Sequence, residues 1–276
     1  MNPWVTIGIA WVVMAIVMAL LWYLQTRSGD AGIVDIAWAL GVAANAVLFA
    51  RTTSGNPMRR VVISLLVALW ALRLAGHVLL RVLAMPEDGR YAVLRERWGA
   101  RHQRLLFGFF QLQASWSVLF ALPMLLAMGN PLPFPQLADG IGLVVFVASV
   151  LGETVADRQL QRFRANAQNS GHVCKEGLWR YSRHPNYFFE WCHWWSYVAF
   201  AWGTPLFWIS LLGPIGMLFF LLKVTGIPPT EERALASRGD AYREYQKTTS
   251  VFFPWPPARP IAKTAGSTSD RTPHQT

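Results

Sequence analysis

Residues 177–191 read GLWRYSRHPNYFFEW, and they crowd Arg180, Tyr181, Arg183, His184, Asn186, Tyr187 and Glu190 into eleven positions. Planar guanidinium groups such as Arg180 and Arg183 bind phosphate oxygens in pairs of parallel hydrogen bonds. An asparagine amide supplies one donor and one acceptor group to whatever lies beside it. Pro185 disfavours a helical conformation at His184. The polar cluster therefore falls on a non-helical segment entering a helix, whose N-terminus itself favours anions. These residue types suit an anionic, phosphorylated ligand.

A second set of groups lies inside apolar runs, where ionisable side chains are costly and usually face a bundle interior or polar cavity. Asp35 and Trp38 share a helix face, as do Arg73 and His77, and Glu153 and Asp157. The last row continues through Gln161 and Arg164, and Glu190 and His193 complete the set. Structural ion pairing, for example Asp35 with Arg73, is the plain alternative for any one of them. Several such faces turned inward imply a polar pocket next to residues 177–191. Glu190-x-x-His193 has the spacing of a carboxylate-bridged metal motif, but one copy cannot build such a site, so no metal is expected.

The elements that must carry these groups are membrane helices. Of 276 residues 53% are hydrophobic and 14% charged, with mean hydropathy +0.28; soluble domains carry about 25% charged residues. Apolar runs near 3–24, 32–50, 60–85, 112–129, 138–160, 187–202 and 205–225 predict an all-α polytopic membrane bundle of about seven transmembrane helices. Residues 1–255 read as one domain. The Pro-, Ser- and Thr-rich remainder, 256–276, reads as a disordered tail. Tyr91, Leu94 and Trp98 lie at helical spacing among arginines in 86–104, which reads as an interfacial helix on anionic lipid.

Net charge is +10, yet its placement argues against nucleic acid. With seven spans and the N-terminus outside, segments 25–31, 81–111, 158–186 and the tail from Lys223 hold about 21 of the 25 Lys and Arg. That is the positive-inside asymmetry. The three arginines of the 51–60 loop are its weak point. Cys174 and Cys192 do not make a disulfide framework. No Walker sequence or strand-linked Gly-x-Gly-x-x-Gly is present.

GLWRYSRHPNYFFEW resembles the C-terminal signature of the membrane-bound steroid 5α-reductase-like family, in particular its bacterial branch, and is similar to the matching segment of sterol C14 and C7 reductases. GETVADRQLQRFRANAQNSG and EERALASRGDAYREYQKTTSVFFPW resemble neighbouring segments of that family, with weaker echoes at VDIAW and LWALRLAGHVLLR. The resemblance spans about 31 to 255. It implies an integral protein of the bacterial inner membrane, with a cytoplasmic C-terminus and a cytosol-facing cavity for NADPH. It further implies hydride transfer to an activated carbon–carbon double bond of a lipophilic small molecule. By position, Asp157, Arg164, Arg180, Tyr181, Arg183, His184, Asn186, Tyr187, Glu190 and Arg233 match cofactor contacts. Asn186 or Asp157 would meet the nicotinamide carboxamide.

Conjugate reduction also needs a donor at the substrate carbonyl, where negative charge builds as hydride adds. The resemblance places Asp35 there. Where the family has a tyrosine on the third helix, this chain has Trp70, so His77 is the other candidate. A competing resemblance is to S-adenosylmethionine-dependent membrane methyltransferases of the isoprenylcysteine or phospholipid kind, which share the Arg-His-Pro-x-Tyr pattern and paired glutamates, here Glu231-Glu232. A third reading is a non-enzymatic lipid-binding membrane protein.

Overall fold

A computed structural model describes residues 1–29, 31–84 and 89–258; the expected tail from 259 and positions 86–88 of the expected interfacial segment lie outside the described residues. The chain is all-helical there: α1 (Pro3–Ser28), α2 (Ile33–Thr52), α3 (Pro57–Ala84), α4 (Gly89–Trp98), α5 (His102–Met128), α6 (Leu137–Ala165), α7 (Pro185–Ala201), α8 (Leu212–Phe219) and α9 (Ile227–Thr248).

Local sequence explains the helix ends. Asn2 caps α1 by accepting the Trp4 N–H, Pro3 follows it, and Gly29 closes the helix in the left-handed region. Gln136 and Asp139 form a reciprocal capping box at the start of α6. α7 starts at Pro185, a residue whose missing N–H costs nothing in a first turn.

Contacts sort the helix ends into two sets. At the amino-terminal end, the Met1 ammonium donates to Thr52 O at 3.4 Å and Asn130 Nδ2 donates to Phe200 O and Trp202 O at 3.0 and 3.1 Å. Arg59 pairs with Asp139 there at 2.7 Å and also donates to the carbonyls of Asn130, Leu132 and Pro133. At the opposite, signature end, Arg95 donates to Gly29 O at 2.6 Å, Trp179 to Ala156 O at 2.9 Å, and the Arg183 N–H to Ser250 O at 2.8 Å. The weak point in the charge pattern has a structural reason. Arg59 is buried in its ion pair, and Arg60 donates to Ala50 O and Thr53 O at the end of α2.

Six helical runs are long and apolar enough to cross a membrane, against the seven runs of the sequence. The difference is α7. Its 17 residues rise only about 25 Å, short of a ~30 Å hydrocarbon core, yet it joins the same two ends as its neighbours. Much of it is buried, including Glu190, His193, Trp194 and Tyr197. α6 accepts it closely because Gly142 and Gly152 present no side chain: a Cβ at Gly142 would lie 3.0 Å from Ser196 O, and one at Gly152 would strike the Phe189 ring. The last apolar run breaks at a π-turn, Phe220–Val224, and α9 beyond it carries charge along its whole length. α9 therefore lies outside the spanning part.

In the 86–104 segment the apolar stripe is turned to the bundle: Tyr91, Leu94 and Trp98 of α4 pack inward on Ala31, Val34, Leu106 and Phe110. Tyr91 is 5% exposed.

Candidate functional site

Three helices bring the buried charges together. Arg73 on α3 forms ion pairs with Glu153 and Asp157 of α6, the second at 3.6 Å. Both carboxylates lie on the face that the i,i+4 spacing predicted, and both partners come from α6 rather than from Asp35. Asp157 also accepts the Asn186 Nδ2–H at 3.1 Å, which ties α6 to the first turn of α7. One turn further along α7, Glu190 accepts the indole N–H groups of Trp70 at 3.0 Å and Trp194 at 3.4 Å. Trp70, at the position where the resemblance expected a tyrosine, is thus held by a carboxylate from the signature.

Asn186 Oδ1 and Arg73 Nε are buried in this cluster with neither a hydrogen-bond nor an ion-pair partner. Burying such atoms unmatched is unfavourable, and native proteins rarely leave them so without an occupant or a function. An acceptor and a donor in one cluster fit a primary amide such as a carboxamide.

Arg183, His184 and Glu231 make a clasp rather than an open rim. Glu231 on α9 accepts from Arg183 Nε at 2.6 Å and from Gln246 Nε2 at 2.9 Å, with His184 Nε2 and Tyr242 Oη each at 3.3 Å. Arg183 also donates to Gln246 O and Thr249 O. Burial works to raise the Glu231 carboxyl, but hydrogen bonds from His184 and Arg183 outweigh it and hold the group down at about 2. Burial is the leading influence on His184 and lowers its imidazole below the ordinary 6.5. Neighbouring backbone completes the clasp: Ser182 Oγ donates to Phe252 O at 2.8 Å, and the Trp255 N–H to Tyr181 O at 2.9 Å.

The remaining expected residues are spread around this core. Tyr187 stacks on His184 with centroids 5.4 Å apart and lies 3.2 Å from Thr230 Oγ1. Arg164 is exposed at the end of α6, within electrostatic reach of Arg238, Cys174, Asp157 and Tyr187. Arg164 and Arg238 thus make a basic edge beside Tyr187. Arg180 and Tyr181 are exposed on the short 3-10 turn Gly177–Arg180 and just after it, and Arg233 is exposed on α9. His77 is exposed one turn beyond Arg73 on α3. Half-buried Asp35 accepts the Tyr91 Oη–H at 3.2 Å. Trp38, one turn along α2 from Asp35, packs edge-on to Trp70 with centroids 6.1 Å apart.

The expectation for Arg183 changes most. Sequence reasoning had it reaching for phosphate at a pocket rim, whereas its guanidinium is occupied by Glu231 and two backbone carbonyls. Sequence reasoning read Tyr91 only as an apolar position, and passed over the Arg59–Asp139 pair and Tyr197. Tyr91 carried a signal: a phenol on an otherwise apolar stripe needs a hydrogen-bond partner when that stripe is buried. Among the described residues, no three His, Cys, Asp or Glu side chains are placed to hold a metal ion. An apolar groove of about 710 Å³, lined by Leu137, Ile141, Val145, Trp195, Val198 and Trp202, lies between α6 and α7 near the amino-terminal end.

A family model described as a protein of unknown function (DUF1295) matches residues 21–249. No curated protein and no solved structure matches the chain.

Proposed function

The chain belongs to the DUF1295 family, within the steroid 5-alpha-reductase-like superfamily, and from that premise we propose that it is a membrane NADPH-dependent reductase. Its reaction is hydride addition to an activated carbon–carbon double bond of a lipophilic molecule. The observation that carries this reading is the Glu153–Arg73–Asp157–Asn186 cluster with its unpartnered amide oxygen, close to a basic edge formed by Arg164 and Arg238. Asn186 and Asp157 would hold the carboxamide, and Arg164, Arg238 and Tyr187 the phosphates. When bound, NADPH supplies the hydride.

The chain's own part is to bind and to polarise. Hydride arriving at the β-carbon pushes an electron pair onto the substrate's carbonyl oxygen, and a placed donor stabilises that charge. Tyr91 carries the O–H that Asp35 Oδ1 accepts, so in this reading the pair offers one donor to the carbonyl oxygen, and the α-carbon takes its proton from water. His77 belongs with the cofactor side in this reading, since it lies one turn from Arg73 on the same helix face. The basic signature end faces the cytoplasm of a bacterial inner membrane and the N-terminus faces out, in keeping with the positive-inside pattern.

The methyltransferase reading keeps one observation in its favour: Glu231, of the paired glutamates, is bonded to Arg183 and His184 of the Arg-His-Pro-x-Tyr segment. Binding measured by nicotinamide fluorescence on detergent-purified protein separates the two. The reductase requires saturable NADPH binding that S-adenosylmethionine does not compete away. Binding of S-adenosylmethionine alone would transfer the assignment, and binding of neither would leave the lipid-binding reading.

A further inference from the structure

Deeper in the bundle, α7 carries two polar atoms that the cofactor reading does not use. His193 Nε2 and Tyr197 Oη are buried and have no hydrogen-bond partner, on side chains 1% and 0% exposed. The two residues are one helical turn apart, with ring centroids separated by 5.8 Å. Their surroundings are aromatic. Trp70 stacks on His193 at 5.1 Å, Phe146 meets it edge-on at 6.1 Å, and Trp194 lies 5.8 Å from Tyr197.

Donor and acceptor roles can be assigned. His193 Nδ1 sits 2.6 Å from the Glu190 carbonyl oxygen, which can only accept, so Nδ1 carries the proton. In the neutral ring Nε2 is then a bare acceptor. Tyr197 Oη can donate. A group that satisfies both must give one hydrogen bond and take another. A ketone cannot give one to Nε2, a carboxylate cannot either, and an ammonium cannot take one from Tyr197. A hydroxyl does both. Water shares that chemistry and brings a second O–H to a wall that is mostly aromatic, so the melting temperatures below tell the two apart. An alcohol presents carbon to that same wall.

We propose that His193 and Tyr197 form a ligand site in the membrane-embedded core that binds the hydroxyl group of a lipophilic alcohol, accepting its proton at Nε2 and donating from Oη. The assignment rests on the reductase reading only in identifying this alcohol with the substrate.

The test uses the full chain in detergent. Geranylgeraniol and cholesterol serve as prenyl and sterol probes, each beside its methyl ether, which keeps the acceptor and loses the donor. Native mass spectrometry should show at least one alcohol binding roughly fivefold or more tightly than its ether, the equivalent of one hydrogen bond. The preference should vanish in Tyr197→Phe and in His193→Phe while NADPH affinity stays unchanged. Without added lipid, Tyr197→Phe should melt no lower than wild type, because it removes a group with no partner. No preference for either alcohol overturns the site, as does a preference that survives both variants. A lower melting temperature for Tyr197→Phe identifies a resident water and overturns it too. Loss of NADPH binding in the wild-type protein counts against the reductase and not against this site.

Discussion

Replacing Arg183 with alanine separates a clasp from a cofactor ligand. The Arg183 and Glu231 side chains are 10% and 16% exposed, and Arg183 additionally satisfies two backbone carbonyls. Removing one partner of a well-buried pair costs roughly 3–5 kcal/mol. Slight exposure puts this pair at the lower end, about 3 kcal/mol. For a chain of this size each kcal/mol moves the midpoint by about 2–4 °C, so Arg183→Ala should lower the melting temperature by roughly 6–12 °C. The assay is a thermal melt of detergent-purified protein without added nucleotide, with exposed Arg180→Ala as the control that should stay within about 2 °C. Glu231→Gln should lose part of the same energy, and the double variant should fall well short of the sum, since both act on one contact. If Arg183→Ala melts like wild type and only NADPH affinity falls, the clasp is not what holds this segment.

Acidification should loosen the clasp in two steps. Both His184 and Glu231 have lowered values, so each contributes stability above its ordinary value and loses it as pH falls through its folded one. The melting temperature should decline below about pH 6.5 and again between about 4.5 and 2, and His184→Gln should abolish the upper step. Asn186→Leu should weaken NADPH binding by about fivefold, one neutral hydrogen bond, measured by nicotinamide fluorescence. Asp35→Asn and Tyr91→Phe should leave that affinity intact and slow turnover of an enone substrate; normal turnover in both would remove the pair from the chemistry. Asp139→Asn should lower the melting temperature by an amount comparable to Arg183→Ala while leaving NADPH affinity alone, because its partner Arg59 sits at the opposite end of the bundle.

The fold was legible because lipid imposes a simple rule: apolar length marks a span, and basic loops mark a side. It blurred at α7, where burial among other helices replaces length. Within the site, the i,i+4 spacing revealed that Glu153 and Asp157 share a face, because helix geometry acts within one element. Spacing could not reveal their partner, since Arg73 lies on another helix, 80 and 84 positions away. Arg183 shows the same limit more sharply. A guanidinium has the same donors for a phosphate as for a glutamate 48 positions on, and composition does not choose between them. Tyr91 was read as an apolar anchor because its ring fits the stripe, and its hydroxyl found Asp35 only through tertiary packing. Tyr197 looked like one more aromatic in an apolar run until its buried oxygen proved to have no hydrogen-bond partner.

The way residues 181–184 are held has a consequence for how the protein is made. Their backbone and side chains lean on Ser250, Phe252 and Trp255, in the segment that follows α9. While the C-terminal segment is still inside the ribosome, Arg183 has no Glu231 or Thr249 to grip and the signature has no fixed shape. All the apolar runs can be inserted while residues 181–184 still lack these contacts. The candidate site is therefore assembled only once the segment beyond the last apolar run has emerged, and a chain cut after Val224 would carry its apolar helices without the Glu231 clasp.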